Sequence, residues 1–239
     1  MQQLQYSALE RIKLSRPVDR LTYLERCADG KLIFDLGALD ETAYQAKQTT
    51  HNWLHARLCR TARSVVGIDN SVLVPDEGLT TAPNGIIVRE NIFDLEPAVA
   101  KYGAPGLIVA GELIEHLPDT SALLATLKAT PSLKGTELVV TTPNACCWHN
   151  AIVGSVGRES MHKDHLQIYS YKTLRTLFQR AGFTIQDIIP YHARFPEMIE
   201  SEGSSRVTST AARAFQGVVN VMERVSPILS AGWIVRTRI

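Results

Sequence analysis

The sequence lacks several features that would point to a membrane, a disulfide framework or a thiolate metal site. Its four cysteines show no C-x-x-C spacing, and two of them, Cys146 and Cys147, are adjacent. Reduced thiols in a cytoplasmic protein are therefore expected. No apolar run reaches the roughly 18 uninterrupted residues that a membrane-spanning helix needs, and the charged first segment, "MQQLQYSALERIKLSRP", is unlike a signal peptide. We expect neither a membrane span nor a membrane partner.

An excess of either charge is also missing. Lys and Arg number 25 and Asp and Glu number 24, so the formal net charge is +1. Such a balance disfavours a large surface that follows the phosphates of nucleic acid. The content of 45% hydrophobic and 21% charged residues is ordinary for a globular protein. Because 239 residues suit one α/β domain, we expect a single domain over residues 1–239.

Short apolar runs alternate with helix-like stretches along the chain. Seven runs have the length of a strand, at 31–37, 64–70, 85–91, 106–112, 136–144, 183–191 and 232–239. Apolar residues at helical spacing predict helices over 49–62, 119–133 and 170–183, with Asp119 or Thr120 and Ser170 as N-caps. This alternation predicts an α/β fold with a doubly wound, seven-stranded, mostly parallel sheet whose last two strands are antiparallel. We expect a helical cap over 1–29, and a flap or a contact in a homodimer over 191–215.

Polar residues follow the predicted strands at the points where the strands end. Asp35 and Gly37 end the first strand, Asp69 ends the second, and Glu112 ends the fourth. Ligands of such sheets bind beyond the carboxyl ends of the strands, so these side chains should line the site. A carboxylate in the position of Asp69 can accept two hydrogen bonds from a ribose diol, as in dinucleotide-binding and adenosine-binding enzymes.

The turn after the first strand distinguishes between those two classes of enzyme. A pyrophosphate site needs G-x-G-x-x-G, whereas "DLGALDE" (35–41) contains only Gly37. The acidic residues Asp40 and Glu41 would also repel a pyrophosphate. A cofactor that carries an amino acid in place of phosphates fits this turn better than a nicotinamide dinucleotide does.

Five segments in this order resemble the class I S-adenosylmethionine-dependent methyltransferases: "LIFDLG", "VVGIDNS", "LIVAGELIEHLPD", "LVVTTPNA" and "DHLQIYSYKTLRTLFQRAGF". The resemblance covers roughly residues 17–239 and is greatest to the group with E-x-x-E-H after the fourth strand, found in glycan and small-molecule biosynthesis. It implies O-methylation of a small-molecule or carbohydrate hydroxyl. The first motif departs from the usual D-x-G-x-G-x-G, since its second and third glycines are missing. A non-catalytic binding protein with the methyltransferase fold is therefore an alternative.

The resemblance also implies which residues hold S-adenosylmethionine: Arg20, Asp35, Gly37, Asp69, Asn91, Ile92 and Gly111. Asp69 would bind the ribose hydroxyls, and Asn91 with Ile92 would lie beside the adenine. The segment "PVDRLTYL" (17–24) resembles one in the ubiquinone O-methyltransferases, which implies that Arg20 pairs with the methionine carboxylate. Gly37 and Gly111 would let the backbone pass close to the methionine part and the sulfonium.

The segment "GELIEHLPD" (111–119) places two carboxylates and an imidazole within five positions. In one interpretation, His116 or His165 is the general base that takes the proton of the acceptor hydroxyl. In another, Glu112, Glu115 and His116 bind a divalent metal that activates the hydroxyl. A purely structural role is the third, because a carboxylate near a helix N-terminus is favourable in itself.

A second resemblance bears on the metal. The segments "TTPN" and "MHKDHLQIYS" resemble the 2′-O-methyltransferases of small RNA 3′ ends, which combine E-x-x-E-H with a later histidine and bind a metal. His162 or His165 would then be the fourth ligand, and RNA would be the acceptor. Many relatives carry E-x-x-E-H without a metal, so the general base is the preferred interpretation and a small acceptor is preferred to nucleic acid.

Overall fold

The computed structural model describes residues 9–39, 52–159, 161–194 and 206–239. These residues form an eight-stranded sheet with the order β3-β4-β2-β1-β5-β6-β8-β7. Its strands are β1 Leu32–Leu36, β2 Ser64–Asp69, β3 Leu79–Ala82, β4 Gly85–Arg89, β5 Leu107–Gly111, β6 Glu137–Pro143, β7 Asp187–Tyr191 and β8 Gly232–Arg238. Strands β4, β2, β1, β5 and β6 are parallel, and β8 pairs antiparallel with both β6 and β7. The predicted mostly parallel α/β sheet with an antiparallel last pair is confirmed.

The helices are α1 Arg20–Ala28, α2 Leu54–Leu58, α3 Glu96–Tyr102, α4 Thr120–Ala129, α5 Trp148–Ser155, α6 Tyr171–Arg180 and α7 Arg206–Val225. Two predicted caps are confirmed: Asp119 accepts a hydrogen bond from the Ala122 N–H at the start of α4, and Ser170 forms a capping box with Thr173 on α6. Each cap satisfies backbone donors that would otherwise be unpaired in the first turn. None of the helices in the described ranges has both the length and the apolar character needed to cross a bilayer.

The structure differs from the sequence prediction at one edge of the sheet and at the N-terminus. Strand β3 is an eighth strand that pairs antiparallel with β4 across a two-residue turn. Residues 9–19 form no helix, and only α1 represents the predicted cap, while residues 1–8 lie outside the described part. Within the predicted insertion at 191–215, α7 begins at Arg206, and residues 195–205 are outside the description. The division into cap, domain and flap remains a prediction.

Two apolar layers cover the two faces of the sheet. One contains Phe34, Leu36, Ile108, Phe178 and Trp233, and the other contains Leu24, Ile33, Leu58, Val109 and Ile234. Neighbouring residues of β1, β5 and β8 therefore point into opposite layers. Burial on both faces explains why these strands read as continuous apolar runs, and it leaves the ends of the strands as the place for polar side chains.

Candidate active site

A cleft of about 990 Å³ opens at the carboxyl ends of β1, β2, β4 and β5. The carboxyl ends of parallel strands meet at one edge of a sheet, which brings distant segments of the chain together there. All of the residues proposed from the sequence lie in the wall of this cleft: Arg20, Asp35, Gly37, Asp69, Asn91, Ile92, Gly111, Glu112, Glu115, His116, His162 and His165. The cleft is thus the candidate site, and the role of each residue remains a proposal.

Asp69 is held in place by two backbone donors at the end of β2. Its Oδ2 accepts a hydrogen bond of 2.8 Å from the Leu39 N–H, and its Oδ1 accepts one of 2.9 Å from the Ser71 N–H. The residue is only 7% exposed. The Asp69 carboxylate therefore has a fixed orientation and also anchors the turn that follows β1.

The turn after β1 depends on the single glycine that remains there. Gly37 has φ +68°, a left-handed conformation that favours glycine, and its N–H donates to the Ile68 carbonyl at 2.9 Å. A Cβ at this position would lie 2.8 Å from Leu113 Cδ1, so Gly37 brings the turn against the segment that contains Glu112. Asp40 and Glu41 lie outside the described residues.

Helix α2 and Trp53, the residue before it, pack against the end of β1 and the turn that follows it. The Trp53 Nε1–H donates to the Ala38 carbonyl at 3.0 Å. His55 Nδ1 lies 3.1 Å from Asp35 Oδ2, and its Nε2 lies 2.9 Å from Thr81 Oγ1. Asp35 and His55 are both buried, so Asp35 is paired with a histidine that sequence reasoning did not connect to it.

Asn52, which sequence reasoning missed, also lines the cleft. Its Nδ2 is buried and has no hydrogen-bond partner among the described residues. A buried amide donor without a partner is costly, and such groups in native structures usually have a reason. The cleft therefore offers an N–H donor that fits a ligand rich in oxygen acceptors.

Arg20 and Glu112 meet at the end of β5. Arg20 Nη1 donates to Thr141 Oγ1 at 3.3 Å and lies 3.8 Å from Glu112 Oε1. The Glu112 carboxylate accepts hydrogen bonds from the Thr141 hydroxyl at 2.7 Å and from the Tyr191 hydroxyl at 3.0 and 3.1 Å. Burial raises the pKa of Tyr191 well above its usual value, so its phenol keeps the proton that it donates. The Glu112 carboxylate is therefore held in place by two hydroxyl donors, with Arg20 nearby.

Glu112 also has an uncommon backbone conformation. Of the non-glycine residues that the structure describes, it alone has a φ in the left-handed region, at +54°. Such a conformation costs on the order of 1–3 kcal/mol and persists only where the surroundings hold it, often at a functional site. Here the hydrogen bonds of its carboxylate and the N–H bond to the Thr141 carbonyl at 3.0 Å hold it.

Glu115 lies deeper than Glu112 and behaves differently. It is 0% exposed, its Oε2 accepts from the Thr142 hydroxyl at 3.0 Å, and its Oε1 is buried without a partner among the described residues. Burial and the nearby Glu112 raise the pKa of Glu115 to about 9. At neutral pH this side chain is therefore a neutral carboxylic acid.

Three histidines lie close together in the wall of the cleft, and two of them, His116 and His165, are near the Glu115 carboxyl group. The ring centroids of His116 and His165 are 4.7 Å apart, and His162 is 6.2 and 5.5 Å from them. His116 Nδ1 lies 3.2 Å from the Asp164 carbonyl oxygen, which can only accept, so this nitrogen is the donor. Burial, and then His116 and His162, lower the pKa of His165. His165 is therefore neutral at pH 7, and its buried Nδ1 has no partner among the described residues.

The atoms that could hold a metal differ from the set expected from the sequence. One ligand atom from each of Glu115, His116 and His165 lies within 4.8 Å of the others. Glu112 is not part of this group, since Tyr191 and Thr141 hold its carboxylate. Two imidazoles and a carboxylate are a donor set that suits zinc and similar ions.

Comparison with known proteins agrees with this architecture. A protein-family model described as a methyltransferase domain matches residues 19–188. The chain belongs to the class I S-adenosylmethionine-dependent methyltransferases. This confirms the family and the enzyme class that the sequence predicted, and the family implies binding of S-adenosylmethionine.

Two solved structures have a similar fold. A SAM-dependent methyltransferase from Archaeoglobus fulgidus is 12% identical with a TM-score of 0.51, over 92% of this chain and 93% of that chain. A chain from the complex between the Haloferax volcanii Trm112 methyltransferase activator and a methyltransferase is 13% identical with a TM-score of 0.50, over 91% and 87%. At these identities the likeness concerns the fold alone. No curated protein matches the sequence.

Proposed function

We propose that this methyltransferase transfers the methyl group of S-adenosylmethionine to a hydroxyl of a small molecule or sugar in the cytoplasm, with His165 or His116 as the general base. One observation supports this most. The two imidazoles, 4.7 Å apart, line the same cleft as Asp69, so a proton acceptor and a carboxylate suited to ribose face one space. The proposal includes membership of the E-x-x-E-H group.

The lining of the cleft fits the cofactor that the family implies. S-adenosylmethionine supplies an electrophilic methyl group when bound. Asp69 would hold the ribose hydroxyls, and Asn91 and Ile92 would border the adenine. Arg20 would pair with the methionine carboxylate, because its hydrogen bond and its ion pair with described residues both use Nη1, while the face of its guanidinium lies 5.8 Å from the centre of the Tyr191 ring. The unpaired Nδ2 of Asn52 adds a donor on the same wall.

The proton chemistry follows from the burial of the imidazoles and the acid. His165 is neutral at pH 7 and can accept the proton that the acceptor hydroxyl loses. Glu115 stays protonated, so it places no negative charge beside His165 that would raise the pKa of the imidazole. The fixed Glu112, Tyr191 and Arg20 keep the wall rigid, which helps to align the hydroxyl with the methyl group.

A metal-assisted form of the same reaction is a second candidate. It is favoured by two buried atoms without partners in the described residues, Glu115 Oε1 and His165 Nδ1, because both of these residues belong to the group that fits an ion. A metal there would displace the proton of Glu115 and lower the pKa of a bound hydroxyl. The acceptor that the second sequence resemblance implies for this form is an RNA 3′ end.

The experiment that tests the proposal is transfer of a labelled methyl group to a panel of phenols, catechols, sugars and a short RNA. Each acceptor is assayed after treatment with a chelator and again after Zn²⁺, Mn²⁺ or Mg²⁺ is added. The general-base form predicts labelled ether in a small acceptor, unchanged by the chelator. If the chelator abolished methyl transfer and an added metal ion restored it, the metal-assisted form would replace the general-base form. Labelling of nitrogen or carbon acceptors alone would contradict both forms.

A further inference from the structure

Helix α7 exposes a stripe of apolar side chains. Val218, Val221, Met222 and Val225 are between 38% and 81% exposed, and Phe215, which contacts Trp148, is 46% exposed. At 100° per residue these positions fall on one face of the helix. Monomeric proteins seldom leave so many adjacent apolar side chains in water without a use for them.

The opposite face of α7 is anchored to the domain, so the stripe cannot simply turn inward. Val219 is buried against Trp148 and Ala193. Glu223 is 0% exposed, and its Oε2 lies 2.7 Å from His192 Nδ1. A rotation that buried the stripe would expose Val219 and break this buried pair, at a cost of several kcal/mol.

Helix α5 extends the apolar surface. Its Ile152 follows Trp148 by four positions, on the same side of the helix, and Val156 is the first residue after the helix ends; they are 53% and 69% exposed. The Trp148 ring lies 5.8 Å from Phe215 of α7. We call these exposed side chains, residues 152, 156, 215, 218, 221, 222 and 225, the α5–α7 face.

The exposed charged side chains described on α7 are of one sign. Arg213 and Arg224 are exposed on one side of the stripe, and Glu223, the only acidic residue of the helix, is buried. A second copy of the chain packed on this face would offer the same arginines and no carboxylate from α7 to pair with them. An anionic surface is complementary to it, since arginines that flank an apolar stripe can reach phosphate groups while the stripe enters the acyl region.

We propose that the α5–α7 face docks this protein on a membrane that contains anionic lipids. The sequence expectation of no membrane partner rested on interrupted apolar runs, but a helix that lies in the interface needs only one apolar face. Helix α5 follows β6 and α7 leads into β8, whose first residue pairs with the last residue of β6. The docking face therefore adjoins the edge of the sheet that carries the cleft.

The test is flotation of the full chain with vesicles of phosphatidylcholine alone or with 30% phosphatidylglycerol. Wild type should float with the anionic vesicles, less so at high salt, and not with the neutral ones. Val218→Glu should weaken binding about tenfold or more, and Arg213→Gln with Arg224→Gln should weaken it about 30-fold. Val72→Glu is the matched control, because Val72 is 83% exposed but lies in the segment after β2, and it should float like wild type.

Each contrary outcome has a definite meaning. Absence of flotation with anionic vesicles, or equal flotation of a folded Val218→Glu variant, would overturn the proposal. A dimer in sedimentation velocity that Val218→Glu dissociates, without vesicle binding, would overturn it in favour of self-association. Asp69→Asn changes the cleft and not the α5–α7 face, so it should keep full vesicle binding. A failure of the docking proposal can therefore be distinguished from a failure of the proposed function.

Discussion

At the scale of single residues, burial decides the protonation state of the groups that face the acceptor side of the cleft. Glu115 keeps its proton because it is fully buried near Glu112, and His165 stays neutral because it is partly buried beside two other histidines. The spacing E-x-x-E-H predicts that acids and an imidazole share a site. The spacing does not indicate how deeply each side chain is buried. The sequence therefore could not distinguish Glu115, which is buried and neutral, from Glu112, which is hydrogen-bonded by its neighbours.

Glu115→Gln should flatten the dependence of stability on pH. The folded pKa of Glu115 is about 9, above its ordinary value of 4.5, so between these values the folded state holds a proton that the unfolded state has lost. The wild-type free energy of unfolding should therefore fall as pH rises from 5 to 9, by up to about 1.4 kcal/mol per pH unit. Urea unfolding at pH 6, 7 and 8 with a chelator present would measure both slopes. Equal slopes for wild type and variant would contradict a protonated Glu115.

His165→Asn should remove the acidic limb of the pH–rate profile. Because the pKa of His165 is lowered, wild-type kcat/KM should rise with pH through an apparent pKa below about 6.5. The variant should lose about 10²- to 10⁴-fold in activity and lack this limb. His162→Asn is the control. It should keep the acidic limb, and the apparent pKa of that limb should rise, because His162 lowers the pKa of His165. If His165→Asn kept the wild-type profile, we would conclude that His116 and not His165 is the general base.

At the scale of secondary-structure elements, the sequence predicts those whose signal is local. The seven strands with continuous apolar runs and the capped helices α4 and α6 all form. Strand β3 has the sequence "LTTA", too short and polar to signal a strand, and it forms because β4 offers a free edge. Helix α7 has apolar residues at helical spacing, but its first residues are polar, and the sequence prediction therefore placed them in an insertion.

The rebuilt turn after β1 could not be predicted, for a related reason. This turn lacks the family's second and third glycines, and it is held instead by contacts between segments that are far apart in sequence. The His55–Asp35 pair spans 20 positions, and Thr81 on β3 completes it. Gly67 permits this arrangement, because a Cβ there would lie 3.1 Å from the His55 ring and 2.6 Å from Ala38 Cβ.

Gly111→Ala tests the packing of α2 on β5. A methyl group at Gly111 would overlap Leu54 Cδ2, and overpacking of this kind costs about 1–3 kcal/mol. Leu54→Ala should itself destabilise the protein, but in combination with Gly111→Ala it should cost less than the sum of the two single changes. The measurement is the free energy of unfolding of all four proteins. Additive effects would show that the two side chains do not compete for one space.

At the scale of the whole molecule, one edge of the sheet gathers every candidate residue. The topology predicted from the order of strands and helices is enough to place these side chains in one cleft. The net charge of +1 agrees with a small acceptor, yet it conceals the local arrangement of arginines and apolar side chains on α7. Composition constrains the class of partner, whereas the surface that meets the partner becomes visible only in three dimensions.

The central claim is that this cleft, despite its altered glycine motif, holds S-adenosylmethionine through Asp69. Thermal unfolding with S-adenosylhomocysteine measures this most directly, on wild type, Asp69→Asn and the matched control Asp187→Asn, whose carboxyl is exposed on β7. Ligand at 100 times its dissociation constant should add about 2.7 kcal/mol, or about 5–10 °C. We expect this shift in wild type and Asp187→Asn, and its loss in a folded Asp69→Asn. No shift in wild type, or the same shift in Asp69→Asn, would contradict this claim.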